Sequence, residues 1–317
     1  MDLDIRQLRI FAEVANTGSF SKAAQNLKLS QSAVSQSIGK LEAILGLELI
    51  NRFSRPFQLT QAGRLLLSRS NTILTSMETL SQDLKTIEAQ KSILRIACSD
   101  YFSWSVFPLI VENLLREVSQ LHGYTGHTPY VCQLLENRMV DIAIATSPMS
   151  NIETIQSVPL YEENYLIVAP KQLNVNIRTR EDLKRALGKI PFIRFNDDVL
   201  DHTKIERILR YCELETDKRI QMNMEAATMQ LIAAGKGWSI MPCTGIWAKN
   251  SLLSEVRLHK LPNLKFSRKI YLNYRDSSFK PLADFLEELV KEAIQLRLPK
   301  EMKENNPIFE GALKVLN

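Results

Sequence analysis

The 317-residue sequence is poor in the residues that build cross-linked or metal-held frameworks. Its four cysteines, Cys98, Cys132, Cys212 and Cys243, lie far apart with no CxxC pair, so they read as reduced thiols. Four scattered histidines offer no zinc spacing, and no metal site is expected. No apolar run reaches secretory or membrane-spanning length, and the start carries Asp2 and Asp4. These features argue against a signal peptide or a membrane partner and imply a cytoplasmic protein. GxSxG, HExxH and P-loop patterns are missing, so no catalytic residue is nominated. Gly235 and Gly237 in "AAGKGWSIMP" lack the remaining spacing of a dinucleotide loop, and Gly235 reads instead as a helix cap.

What is present is ordinary for a globular protein: 45% hydrophobic and 24% charged residues, at a length that suggests two or three domains. The net charge is +5, which favours an anionic partner. Between residues 17 and 69 seven Lys or Arg face two Glu, so this segment alone carries the whole excess.

That segment has helical rhythm. Leu8, Phe11, Ala12 and Ala15 share one helix face, with Gly18 as its C-cap and Ser19 as the next N-cap. Phe20, Ala23, Ala24 and Leu27 form a second stripe; Lys28 and Leu29 form a turn. Ser30 caps a third helix, whose stripe is Val34, Ile38, Leu41 and Leu45 before Gly46. A short helix, a tight turn and a longer helix have the layout of a helix-turn-helix. The polar face of the third helix (Gln31, Ser32, Ser35, Gln36, Lys40) carries neutral donors and acceptors of the kind that reach base edges in a major groove. A three-helix packing unit with an incidental polar face is the alternative. "LINRFSRPFQL" reads as two short strands around a cationic loop, in which Arg52, Arg55 and Pro56 form either a DNA-contacting wing or plain surface.

The pieces "GSFSKAA", "SQSAVS", "KLE", "LG" and "LTQAG", with Phe11 ahead of them, closely resemble the winged helix-turn-helix of LysR-type transcriptional regulators, in order and spacing over about 65 residues. The resemblance implies double-stranded DNA as partner and Ser19, Ser21, Lys22, Ser30, Gln31, Ser32, Ala33, Ser35, Gln36, Lys40, Arg52, Arg55 and Pro56 as contacts. This sequence departs from the family at Ser32 (often Pro), Ile50 (often Phe) and Gln36 (often a longer basic residue). The last departure bears on base preference.

Thr60 can cap a helix running to about Ala89. Leu66, Ile73, Leu80 and Ile87 recur every seven residues, Met77 and Leu84 fill the complementary position, and Ser70 interrupts it. Such a stripe predicts a two-helix seam, with another chain or with the protein's own next domain. The family resemblance implies the former: a linker helix that pairs two DNA-binding domains into a dimer. Tetramers are typical of the family, and RNA polymerase is a further expected partner.

From Ile93 strands and helices alternate ("ILRIACS", "FPLIVENLLREV", "VDIAIAT", "NYLIVAP", "PFIRF", "KIYLNY"), which predicts parallel α/β sheets. This stretch resembles, more loosely, the family's effector domain, with the type 2 periplasmic-binding-protein fold of two Rossmann-like subdomains. The expected organisation is residues 1–59 winged helix-turn-helix, 60–90 linker helix and 91–299 effector domain, with 300–317 a C-terminal extension. The first subdomain is expected to hold 91–164 and 269–299, the second 165–268.

Ligands of open α/β sheets sit beyond the carboxyl ends of strands, near helix starts. That geometry nominates Ser99, Asp100, Tyr101, Thr125, Thr128, Thr146, Asn196 and Asn223 for a small-molecule effector, with helix capping the competing reading of each. The resemblance places Ser99, Thr146 and Asn223 at pocket positions. Asp100 suits a cationic or amine-bearing effector, Arg194 an anionic one. No cofactor is expected. A solute-binding protein, a small-molecule enzyme on the same fold and a DNA-organising protein without an effector are the competing functions. A cysteine redox switch fits poorly, because Cys212 and Cys243 are 31 residues apart.

Overall fold

The structure is a computed structural model. It describes residues 3–51, 57–88, 93–173, 177, 179–188, 190–196, 200–214, 216, 220–260, 266–275 and 277–316, without the side chains of 78–79, 81–88, 200–201 and 277. The chain forms two compact units, Met1–Gln90 and Lys91–Asn317.

In the first unit α1 (Ile5–Thr17), α2 (Phe20–Leu27) and α3 (Gln31–Leu45) precede a hairpin of β1 (Ile50–Asn51) and β2 (Gln58–Leu59), and α4 (Gln61–Glu88) follows. The expected caps form. Ser19 Oγ accepts the Lys22 N–H at 3.3 Å and Ser30 Oγ that of Ala33 at 3.2 Å. α2 ends on Lys28 in the left-handed region (φ 56°), so a non-glycine residue makes the tight turn into α3. Phe11, Val14, Ala23, Val34, Ile38 and Leu41, from the three helices, bury their side chains together with Leu49 and Ile50. Glu42 Oε1 accepts the N–H groups of Leu49 and Ile50 at 2.9 and 3.3 Å, which ties the hairpin to α3.

Gly63 lets α4 lie against this hairpin. A Cβ there would meet the Leu49 carbonyl oxygen at 2.2 Å, a backbone atom that cannot swing aside. Gly63→Ala is therefore expected to destabilise the first unit by about 1–3 kcal/mol through overpacking. Thermal unfolding followed by circular dichroism checks this; an unchanged midpoint would contradict the close approach.

The second unit begins with β3 (Ile93–Ser99), α5 (Asp100–Ser105), α6 (Phe107–Glu117), β4 (Gln120–Gly126), α7 (Thr128–Glu136), β5 (Ile142–Ala145) and β6 (Gln156–Pro170). It continues through α8 (Arg180–Leu187), β7 (Ile193–Phe195), α9 (Leu200–Tyr211), β8 (Ile220–Met222), α10 (Glu225–Ala233), β9 (Ser239–Pro242) and α11 (Cys243–Trp247). The remaining elements are β10 (Val256–Lys260), β11 (Ser267–Tyr274), α12 (Lys280–Glu292), α13 (Leu298–Asn305) and β12 (Leu313–Val315).

The predicted parallel sheets are in fact mixed. β3 runs parallel to β4 and β5, and β7 to β8, but every strand that pairs with β6 does so antiparallel. The reason is β6 itself, a 15-residue strand that serves two sheet regions. Up to Asn164 it pairs with β11; from Tyr165 it pairs with β9 and β10. β11 returns antiparallel beside the first part of β6, from Ser267 opposite Asn164 to Tyr274 opposite Gln156.

The C-terminal extension is built into this unit. α12 does not end near Leu298 but continues through a π-helical turn, Ala293–Arg297, into α13. The wider turn lies just before Pro299, whose missing N–H would interrupt an α-helical ladder. β12 then adds to β6 with Leu313 opposite Glu163, and buried Phe309 packs edge-to-face on Trp247 at 6.2 Å.

Candidate nucleic-acid interface and effector cavity

The helix-turn-helix candidates divide by what their side chains already do. Ser19 and Ser30 are caps. Ser21 Oγ donates to Gln31 Oε1 at 3.1 Å, linking α2 to α3, and Ser30 and Ser32 hydroxyls lie 3.0 Å apart. Ala33 and Ser35 are half-buried, whereas Lys22, Gln31, Ser32, Gln36 and Lys40 are exposed. Lys28, Arg64 and Arg69 add exposed cations to the same unit. The face of α3 opposite Val34, Ile38 and Leu41 is thus polar and open, with Gln36 and Lys40 reaching solvent. Arg52, Arg55 and Pro56, the wing candidates, lie outside the described residues.

In the second unit a cavity of about 180 Å3 is lined by Asp100, Tyr101, Trp104, Thr125, Met224, Glu225, Ala226, Gly245 and Ala248. It brings together three of the eight sequence candidates, Asp100, Tyr101 and Thr125. Asp100, Tyr101 and Trp104 come from α5, with Trp104 one turn beyond Asp100. Met224, Glu225 and Ala226 come from the start of α10, and Gly245 and Ala248 from α11 and its C-cap. Gly245 allows the two helices to meet, since a Cβ there would lie 3.3 Å from Glu225 Cγ.

The other five candidates are placed differently. Ser99 is fully buried at the start of α5; it caps nothing, and among the described residues its Oγ has no hydrogen-bond partner. Thr128 and Thr146 bond to each other at 2.9 Å, and the Thr146 N–H donates to Thr128 Oγ1 at 3.2 Å. The Asn196 N–H donates to the Met222 carbonyl at 3.0 Å, beyond the end of β7. Asn223 is exposed and precedes the N-cap residue Met224. None of the five lines the cavity.

Arg194 is engaged internally. Its guanidinium contacts the Glu206 carboxylate and donates to Thr216 O at 3.0 Å and Thr216 Oγ1 at 2.5 Å. An anion-binding role is therefore withdrawn: its charge is already neutralised inside the protein.

Sequence reasoning missed Trp104 and Glu225. The first was legible from its one-turn spacing to Asp100. The second needed the start of α10 to be placed against α5, which no local pattern shows.

No group of three or more His, Cys, Asp or Glu among the described residues is arranged to hold a metal ion. The cysteines are free thiols, and burial pushes all four upward, Cys132 to about 11 with help from Glu136, so reactive thiolate is suppressed at neutral pH. Among the described residues no helix is long and apolar enough to cross a membrane.

A helix-turn-helix unit joined to a two-part α/β unit with a cavity defines a class: DNA-binding regulators that carry an effector-binding domain. Residues 5–64 match the "Bacterial regulatory helix-turn-helix protein, lysR family" profile, and 88–294 match the "LysR substrate binding domain". The chain belongs to the LysR family of transcriptional regulators and is not an enzyme. It is similar to the "Probable RuBisCO transcriptional regulator" of Phaeodactylum tricornutum, 26% identical over 290 residues, covering 88% of this chain and 93% of the relative. "HTH-type transcriptional regulator YofA" of Bacillus subtilis is 25% identical over 286 residues, covering 89% and 96%. Among solved structures, CbnR, a LysR family transcriptional regulator, shares the fold, with a TM-score of 0.69 at 17% identity over 92% of this chain and 99% of that one. Full-length CbnR complexed with its target DNA gives a TM-score of 0.66 at 18% identity, over 92% and 100%.

Proposed function

We propose that this regulator works in the cytoplasm as a homodimer paired through α4, reads operator DNA with the exposed face of α3, and changes its DNA contacts when a small molecule fills the α5–α10–α11 cavity. The carrying observation is the pairing, in one chain, of an α3 whose polar face is open with an α/β unit whose cavity is walled by α5, which precedes β6, and by α10 and α11, which follow it. A ligand that binds one arrangement of those helices better than another shifts the population between them, and only that difference in affinity can do so. Higher assembly to a tetramer and contact with RNA polymerase extend the same reading.

Binding to the DNA directly upstream of the gene tests it. Sequence-specific retention at physiological salt, altered by a metabolite, is expected; no specific shift would sink the regulator mechanism, and a tight shift that no metabolite alters would indicate a DNA-organising role. Ser35→Ala combined with Gln36→Ala is expected to weaken specific binding roughly 10-fold or more, because each good base contact contributes about 1–3 kcal/mol of discrimination. Non-specific binding and the mass in solution should stay unchanged. A change in mass instead would mean that this face of α3 belongs to an interface.

A further inference from the structure

We infer that Gln36 is the residue through which this regulator selects an adenine in its operator. The inference rests on the reading of α3 as the DNA-reading helix and names the base that its central side chain takes. At about 100° per residue Gln36, two positions from both Val34 and Ile38, points almost directly away from the buried stripe of α3. It stands in the middle of an exposed row, Ser32, Gln36 and Lys40, each four residues from the next. A side chain so placed reaches furthest toward whatever the polar face meets.

What this face can read follows from its donors and acceptors. Guanine shows two acceptors and is most often taken by arginine or lysine, cytosine by a carboxylate, and adenine by the amide of asparagine or glutamine. α3 contains no arginine, and its single acid, Glu42, is already engaged: Oε1 accepts the Leu49 and Ile50 N–H groups at 2.9 and 3.3 Å. That leaves the amides of Gln31 and Gln36, and the two are not equivalent. Ser21 Oγ donates to Gln31 Oε1 at 3.1 Å, so the Gln31 carbonyl is occupied and its N–H2 is the part left to offer. The Gln36 side chain is exposed and makes no hydrogen bond among the described residues, so its carbonyl and its N–H2 are both open. Adenine needs both at once, a donor for N7 and an acceptor for the N6 amino group. Of the two amides only Gln36 presents that pair.

The test uses the full-length protein and selection from a random-sequence duplex library, after which single base changes in the selected duplex are measured by fluorescence anisotropy. Wild type is expected to select adenine at one position to which Gln36→Ala is indifferent. Replacing that A·T pair should weaken wild type roughly 5- to 150-fold, the range of one bidentate contact, and leave Gln36→Ala unaffected. Gln36→Glu should move the preference there to cytosine, because a carboxylate only accepts, and Gln36→Lys should move it to guanine. A switch of base is a result that neither misfolding nor a lost phosphate contact produces. Uniform weakening on every duplex, with a shallower salt dependence, would make Gln36 a phosphate contact and overturn the inference. A Gln36-dependent position that selects another base, or variants that select as wild type does, would overturn it too, while leaving the reading of α3 in place. If wild type itself selects no sequence, that reading falls and the inference falls with it.

Discussion

Arg268→Met is expected to lower the unfolding temperature of the second unit by roughly 6–20 °C. Arg268 on β11 and Glu163 on β6 sit opposite each other in the register, 1% and 0% exposed, with Nε 2.7 Å from Oε1. The second carboxylate oxygen of Glu163 accepts the Thr244 N–H at 2.8 Å and its hydroxyl at 2.7 Å. Removing the guanidinium leaves a carboxylate in the interior with half of its compensation gone. Loss of one partner from such a pair costs about 3–5 kcal/mol, and about 2–4 °C follows per kcal/mol in a unit of this size. The double variant Glu163→Leu with Arg268→Met should regain most of the stability, because replacing both charges by apolar groups is often neutral. Thermal denaturation of both proteins checks the pair of expectations; a single variant as stable as wild type would mean that the charge pair is not buried in solution.

The same cluster connects the crossing strands to the cavity. Arg268 stacks on Tyr101, a cavity wall, while Glu163 holds the start of α11, whose Gly245 is another. β12 lies on the other side of Glu163, and Phe309 beyond α13 packs on Trp247 of α11. A ligand that moves α5 relative to α10 and α11 therefore pulls on one buried ion pair. This gives the cavity a physical route to β6 and β11. The double variant separates the two roles: restored stability with a blunted effect of ligand on operator binding is the expected combination.

How much of this was legible in the sequence depends on how local each signal is. The three N-terminal helices were readable because stripe, cap and stop all lie within a few residues: Ser19 and Ser30 open helices, Gly18, Lys28 and Gly46 close them. α8 carries one local signal, the Thr179–Asp182 capping box, but its segment is too polar to show a clear apolar stripe beside it. The first half of β6, "QSVPLYEE", was missed for a physical reason. Its acids and Pro159 suggest a surface loop, and only Arg268, 105 residues later, makes Glu163 a core residue. β12 was missed likewise, since its partner is β6 and not a neighbour in sequence. Three of the cavity's residues could be nominated from the rule that sites follow strands, but the helix starts that meet there lie 125 residues apart, Asp100 and Glu225.

If the proposed pairing through α4 holds, Ile73→Glu together with Leu80→Glu is expected to leave the protein monomeric and to abolish specific operator binding, with the fold of each unit intact. The heptad predicted along this helix splits in two. Its beginning belongs to the unit's own core: Leu66 packs against the three-helix cluster, and Ser70, the interruption in the stripe, is fully buried. Beyond that turn the stripe opens to solvent, with Ile73 43%, Met77 41% and Leu80 57% exposed. Leu84 and Ile87 continue the pattern, but their side chains lie outside the described residues. An apolar stripe of this kind exposed to water is unfavourable, and in the proposed dimer a second copy of the same helix would cover it with matching spacing. Burying one such side chain contributes about 1.5–3 kcal/mol. Because Ile73 and Leu80 are each only about half exposed, the two positions in both copies together contribute roughly 3–6 kcal/mol to pairing, about two to four orders of magnitude in association. Analytical ultracentrifugation reports the mass and circular dichroism the fold. One recognition helix alone reads too few bases, so a monomer should retain salt-sensitive, non-specific binding and lose the specific component. A double variant that stays dimeric would place the interface elsewhere and remove α4 from the mechanism.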